Sequence, residues 1–242
     1  MTNSAAPHIV SGGSSGIGLA AVLHLLSRGD EIVILDRVSP PPEVLGSEQV
    51  TFLEVDVTQP TDVQAAARQI LEQRPQCRSI IASAGVDHIA PFETTELETW
   101  RTLIDTNVTG AVNVVHSFVT GLVAHAETGA ASDIITLGSV VDDAYFEGGT
   151  IYGVTSAALR TFASHLRKEF RARGVRVVNL TLGYVRSEFA AALTALADDY
   201  NDLAEGLISP DDVVAVIELI LRQPAGVAYE NVEFVSTRQG WA

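Results

Sequence analysis

The sequence predicts an α/β fold: a single-domain Rossmann arrangement, with one doubly wound parallel sheet of about seven strands and helices on both faces. Three observations carry this expectation. Short apolar segments alternate with stretches of ten or more residues that have helical periodicity, the pattern of right-handed strand–helix–strand crossovers. A glycine-rich turn follows the first strand directly and opens a helix. Hydrophobic residues make up 47% of the 242 against 19% charged, enough for a substantial core.

The elements follow in order. His8 to Ser11 reads as a buried strand leading into Gly12-Gly13-Ser14-Ser15-Gly16-Ile17-Gly18, and a helical pattern continues through Leu26. Glu31 to Asp36 is a second strand, and Pro40-Pro41-Pro42 marks a surface loop. Val50 to Asp56 is a third strand, Thr61 to Gln73 a helix, and Ser79 to Ser83 a fourth strand. One long helix is expected from about Glu96 to His125, then a strand at Asp133 to Leu137. Tyr152 to Arg173 reads as a helix and Val175 to Leu180 as a sixth strand. Ser209-Pro210-Asp211-Asp212 has the form of a helix start, with a cap, a proline at the first position and acids at the positive end of the dipole. Asn231 to Val235 is a last short strand, and no linker divides residues 1–242.

Charge narrows the partners. The formal net charge is −15, which disfavours nucleic acid and anionic membrane surfaces, since both need a basic face. No apolar run approaches the roughly 18 residues that span a bilayer. The first residues have neither a basic region nor a long apolar stretch, so no signal peptide is expected. The single cysteine, Cys77, leaves no internal disulfide and fits a reducing cytoplasm. No metal site is expected.

The glycine turn is the first chemical signal. Glycines permit a tight turn and let backbone N–H groups approach a pyrophosphate, which the helix N-terminus then favours. Gly12, Ser14, Ser15, Gly16, Ile17 and Gly18 are the candidate phosphate cradle. Asp36, ending the second strand, is placed to accept hydrogen bonds from ribose hydroxyls and to repel a 2′-phosphate, while Arg37 beside it softens that repulsion. NAD(H) is therefore expected over NADP(H). Asp56 and Val57, after the third strand, are candidates for the adenine end.

Ser139 and Tyr152 form the second signal. A tyrosine one helical turn before a lysine is a known device for acid–base work by a phenol, but Ser156 occupies that position here. The only lysine, Lys168, lies twelve residues past Ser156 on the same expected helix, ~18 Å away.

Taken together, these motifs resemble the classical short-chain dehydrogenases/reductases over nearly the whole chain. Ser11-Gly12-Gly13-Ser14-Ser15-Gly16-Ile17-Gly18 is similar to the family's TGxxxGIG, with Ser11 for threonine. Ser83-Ala84-Gly85 resembles the end of NNAG, and Asn107 stands where the family keeps a network asparagine. Ser139 and Tyr152 match the family's serine and tyrosine. Leu182-Gly183-Tyr184-Val185-Arg186-Ser187 resembles the segment that touches the nicotinamide, with Leu182 for proline. The tail Val232 to Gln239 looks like members acting on small hydroxy acids and aldehydes.

The resemblance implies roles. Tyr152 gives or takes the carbinol proton, Ser139 polarises the carbonyl, and Asn107 holds a relay water. Ala84, Gly85, Gly183 and Val185 touch the cofactor. Ser156 keeps the ribose contact of the family's lysine without its charge. A free phenol has a pKa of about 10, so Tyr152 stays protonated at neutral pH and carbonyl reduction is favoured over alcohol oxidation. Alternatives are a non-redox lyase, isomerase or dehydratase, a dinucleotide-binding pseudoenzyme, or an introduced replacement of lysine by Ser156. Arg160, one turn beyond Ser156, is a weaker candidate for the missing cation than for an exposed helical arginine. Arg186, His88 and Phe189 are candidate substrate residues, and Asp142 and Asp143 read as solvated loop acids. An apolar lid is expected over about 184–208, with Phe189, Leu193, Leu196, Tyr200, Leu203 and Leu207 inward. The substrate is expected to be a small or medium carbonyl or alcohol. By analogy with the family, a homodimer or homotetramer forms through the helices around 96–125 and 152–173.

Overall fold

The computed structural model describes residues 6–143, 147–186 and 207–239. Seven strands form one parallel sheet in the order β3-β2-β1-β4-β5-β6-β7: β1 His8–Ser11, β2 Ile32–Asp36, β3 Val50–Glu54, β4 Ser79–Ala82, β5 Ser132–Ser139, β6 Val175–Leu182 and β7 Asn231–Phe234. The register pairs His8 with Ile32 on one side and Ser79 on the other. Strand order reverses between β1 and β4, which opens a crevice at their carboxyl ends.

The central strands read as largely apolar runs because both faces are covered, whereas the edge strands β3 and β7 are part-exposed. Successive side chains point to opposite faces. Ile9, Val33, Ile80, Ile134 and Val177 pack on one side against α3 Pro60–Gln73, α5 Ala111–Ala126 and α6 Thr150–Phe170. Their neighbours Val10, Ile34, Ile81, Ile135 and Val178 pack on the other against α1 Gly16–Ser27 and α7 Pro210–Leu221. At the start of α7 the cap that the sequence predicts is reciprocal: Ser209 N donates to Asp212 Oδ2 at 2.8 Å, and Asp212 N donates to Ser209 Oγ at 3.1 Å.

Three expectations need correction. Pro42 is not in a plain loop but starts a single helical turn, α2 Pro42–Leu45, as suits a proline at a first helical position. The long helix at 96–125 is interrupted: α4 Leu97–Ile104 and α5 flank a wide π turn at Asp105–Gly110. By length and composition the run Leu97–Ala126 is apolar enough to cross a bilayer, contrary to the sequence reading. Its inner face is a core face instead, with Val114, Phe118 and Leu122 fully buried. The expected lid residues Phe189, Leu193, Leu196, Tyr200 and Leu203 lie outside the described residues.

Candidate active site

At the β1–α1 turn, the chain passes so close to β4 that side chains are excluded. Gly12 has φ 67°, and a Cβ there would lie 2.7 Å from Ala84 Cα. A Cβ on Gly18 would lie 2.1 Å from the Gly12 carbonyl oxygen, so α1 starts flush against the turn. Ser83 Oγ donates to Ser11 O at 2.5 Å and ties β4 to β1. Ser15 caps α1 without a side-chain hydrogen bond, so the first-turn N–H groups face the cleft uncapped. An uncapped helix N-terminus on a glycine floor fits a pyrophosphate. Gly18→Ala is expected to cost about 1–3 kcal/mol of stability by overpacking and to weaken dinucleotide binding about tenfold or more, read by thermal melts and nucleotide fluorescence titration.

Asp36 Oδ2 accepts from Ser14 N at 3.0 Å and Oδ1 from Val38 N at 3.2 Å, which fixes the carboxylate at the rim of the cradle. Arg37 lines the same cleft. Asp56 Oδ1 accepts from Thr58 N at 2.9 Å and Thr58 Oγ1 at 2.8 Å, so Asp56 builds a turn while also lining the cleft with Val57.

The second half of the site comes from β5 and α6. Tyr152, Thr155, Ser156 and Leu159 line the cleft together because spacings of three, four and seven residues share one helix face. Ser139, the last residue of β5, faces them. The residue Tyr152 is half-buried, but its phenol end is desolvated. That desolvation and the Asp87 carboxylate push the phenol up to about 12, while a hydrogen bond with Ser139 opposes the rise. Ser156 is 3% exposed.

Asn107 sits on the π turn and is 6% exposed. Its side chain clamps one backbone unit: Oδ1 accepts from Val86 N and Nδ2 donates to Val86 O, both at 2.8 Å. Nδ2 also donates to Thr155 Oγ1 at 3.2 Å. Both amide hydrogens are thus used within the protein, and the side chain holds the loop after β4 at the wall of the cleft, which Asn107 also lines.

That loop carries Asp87, which sequence reasoning passed over in favour of His88. Asp87 lines the cleft and His88 does not. Burial raises Asp87 to about 6, against a lowering by a hydrogen bond from its own backbone and by the charge of His88. The available signal was position: an acid at the carboxyl end of a central strand, where ligands of open α/β sheets bind.

No cation replaces the absent lysine among the described residues lining the substrate end. Arg160 Nε is 2.8 Å from Asp142 Oδ2, so it serves that carboxylate. The Asp142 side chain is 1% exposed, which overturns its reading as a solvated loop acid; Asp143 is exposed as expected. Arg186 is exposed, acts on Asp212 and does not line the cleft. Lys168 is exposed near the far end of α6. Phe189 lies outside the described residues. Gly16, Ile17, Ala84, Gly85, Gly183 and Val185 complete the walls. Among the described residues no group of three or more His, Cys, Asp or Glu forms a metal site.

One cleft of about 620 Å³ therefore joins a phosphate cradle to a serine–tyrosine pair across the switch point of a doubly wound sheet. This is the layout of a nicotinamide-dependent oxidoreductase. The short chain dehydrogenase family model matches residues 8–197, and the chain belongs to that family. It is 29% identical over 245 residues to sulfoacetaldehyde reductase 2 of Chromohalobacter salexigens, covering 97% of this chain and 95% of that one. It is 27% identical over 241 residues to serine 3-dehydrogenase of Rhizobium radiobacter, again covering 97% and 95%. Its fold matches a closed form of serine dehydrogenase complexed with NADP+ at TM-score 0.85, with 22% identity over 98% and 97% of the two chains. A 3-ketoacyl-(acyl-carrier-protein) reductase of Brucella melitensis complexed with NADH matches at 0.86, with 19% identity over 97% and 98%.

Proposed function

We propose that this chain reduces a small or medium carbonyl compound with a nicotinamide dinucleotide. The observation that carries the reading is the placement of the glycine cradle and the Ser139–Tyr152 hydroxyl pair in one cleft. When bound, the dinucleotide supplies the hydride. The α1 amides and Gly12 to Gly18 hold its pyrophosphate. Asp36 takes the ribose hydroxyls and sets a preference for NAD(H) over NADP(H), which Arg37 moderates. Tyr152 gives its proton to the carbonyl oxygen, and Ser139 holds that oxygen by hydrogen bonding. The names of the relatives do not set direction, since one is a reductase and another a dehydrogenase. A phenol pushed up to about 12 is protonated at neutral pH, the state that supports reduction. A reducing cytoplasm suits buried Cys77, and a homo-oligomer through α5 and α6 would cover exposed Val112 and Val154.

The test is to titrate NADH and NADPH, then follow reduced-nicotinamide absorbance with a panel of ketones and aldehydes, beside Ser156→Lys. The wild type is expected to bind NADH and consume it with a carbonyl. Absence of binding, or turnover by the lysine variant alone, refutes the reading. In the reverse direction the wild type is expected to oxidise alcohol about tenfold faster for each pH unit from about 6 to 9, because only the phenolate accepts the proton. A cation at position 156 lowers the phenol by one to three units. Ser156→Lys is thus expected to raise oxidation near neutrality by about 10- to 1000-fold, and a flat wild-type profile with chemistry rate-limiting counts against the assignment of Tyr152.

A further inference from the structure

The substrate end of the cleft has lost a cation and holds an anion. Asp87 Oδ2 is buried and has no hydrogen-bond partner among the described residues. It lines the same cleft as Ser139 and Tyr152 and lies close enough to act on the phenol. Asn107, holding both polar atoms of Val86, fixes the peptide next to it. Arg160, one turn beyond Ser156, pairs with Asp142 instead. Residues 144–146 and 187–206 contain no lysine, arginine or histidine. A carboxylate oxygen held out of water without a hydrogen-bond partner is costly. Such a cost persists where a ligand supplies the missing charge.

We propose that Asp87 selects the substrate by charge, taking the ammonium of a small carbonyl compound that carries a protonated amine beside the reacting centre. The inference rests on the reductase reading above. The reaction is unchanged by it: a hydride and a proton add across C=O, and the amine leaves as it came. Asp87 contacts the charged group and Tyr152 the reacting oxygen, so the ammonium also screens the phenol from the carboxylate.

Three three-carbon ketones of similar size separate the charge from the chemistry: aminoacetone is a cation, hydroxyacetone is neutral and pyruvate is an anion. In wild type, kcat/KM is expected to be about 10- to 100-fold higher for aminoacetone than for hydroxyacetone, with pyruvate lower still. Asp87→Asn is expected to bring the first two within about twofold, mainly through KM. A ratio unchanged by Asp87→Asn, an equal loss of kcat on all three ketones, or a preference for pyruvate overturns the proposal.

A second measurement keeps the proposal separable from the reductase reading. If no carbonyl is consumed, that reading fails, and calorimetry with 1-amino-2-propanol against propane-1,2-diol still tests Asp87. At least about tenfold tighter binding of the amine, lost in Asp87→Asn, supports it; equal binding overturns it. Stability adds a third arm. The folded-state value of Asp87 is raised from 3.8 to about 6, so its penalty is absent below the unfolded value and grows as pH rises through about 6. The groups acting on it are His88 and Tyr152. Asp87→Asn is therefore expected to melt higher than wild type at alkaline pH and equally near pH 4; a lower melting temperature at both would mark Asp87 as structural and overturn the proposal.

Discussion

Replacing Tyr152 with phenylalanine is expected to lower carbonyl reduction by about 10²–10⁴-fold, the usual contribution of a positioned proton donor. The substitution keeps the ring, and with it the packing of Tyr152 on its α6 face beside Thr155 and Ser156. It removes only the hydroxyl that meets Ser139. Stability should therefore change by about 1 kcal/mol, the worth of one hydrogen bond. Dinucleotide affinity should stay within about twofold, because the cradle at Gly12 to Gly18 and the Asp36 carboxylate are untouched. The loss should appear in kcat more than in KM, as for an interaction made in the transition state. A loss smaller than about tenfold, with chemistry rate-limiting, would mean the proton comes from elsewhere; Asp87, raised to about 6, is the cleft acid that acts on the phenol. Asp87→Asn in the Tyr152→Phe background would then remove the residual rate.

The elements that sequence made legible are those whose signal is local. The central strands β1, β2 and β4 are short runs buried on both faces, and the edge strands β3 and β7 are less buried but still carry apolar residues. The cap at Ser209 and Asp212 is read from four consecutive residues, and the cradle from seven. Ser139, Tyr152 and Ser156 were found by spacing, and the fold sets them around one cleft. The misses share a physical cause: they are pairings between distant residues, or backbone events without a side-chain signature. A π turn at Asp105–Gly110 has no side-chain signature of its own, so the helix around Glu96 to His125 reads as continuous. Arg160 and Asp142 each look solvated alone, and only the fold brings them within 2.8 Å. Asp87 reads as a loop acid until Asn107, twenty residues later, is seen to clamp the peptide beside it.

The same blindness hid Arg176, whose replacement by methionine is expected to cost about 3–5 kcal/mol. Arg176 lies in β6 and is 6% exposed. Its Nε and Nη2 bond the two carboxylate oxygens of Asp133 at 2.7 and 2.6 Å. Nη1 donates to the carbonyls of Gln223, Pro224 and Val227, and Nη2 to that of Ile220, at 2.7–3.2 Å. The guanidinium thus bonds the Ile220 carbonyl in the last turn of α7, at the negative end of its dipole, and three carbonyls of the segment that follows. Methionine fills the volume and leaves Asp133 and these carbonyls without their donor. Burial holds Asp133 above the usual carboxylate range even with Arg176 beside it. Removing the arginine raises it further, so the variant should lose most stability as pH rises through the new folded-state value and recover part of it in acid. Urea unfolding of Arg176→Met near pH 5 and pH 8 measures both. The double variant with Asp133→Leu should regain most of the loss, because a buried pair exchanged for apolar groups is often neutral. Ser139 lies at the opposite end of β5 from Asp133. The double variant should therefore reduce carbonyls at the wild-type rate, and a fall in kcat there would show that the pair tensions the strand that positions the serine.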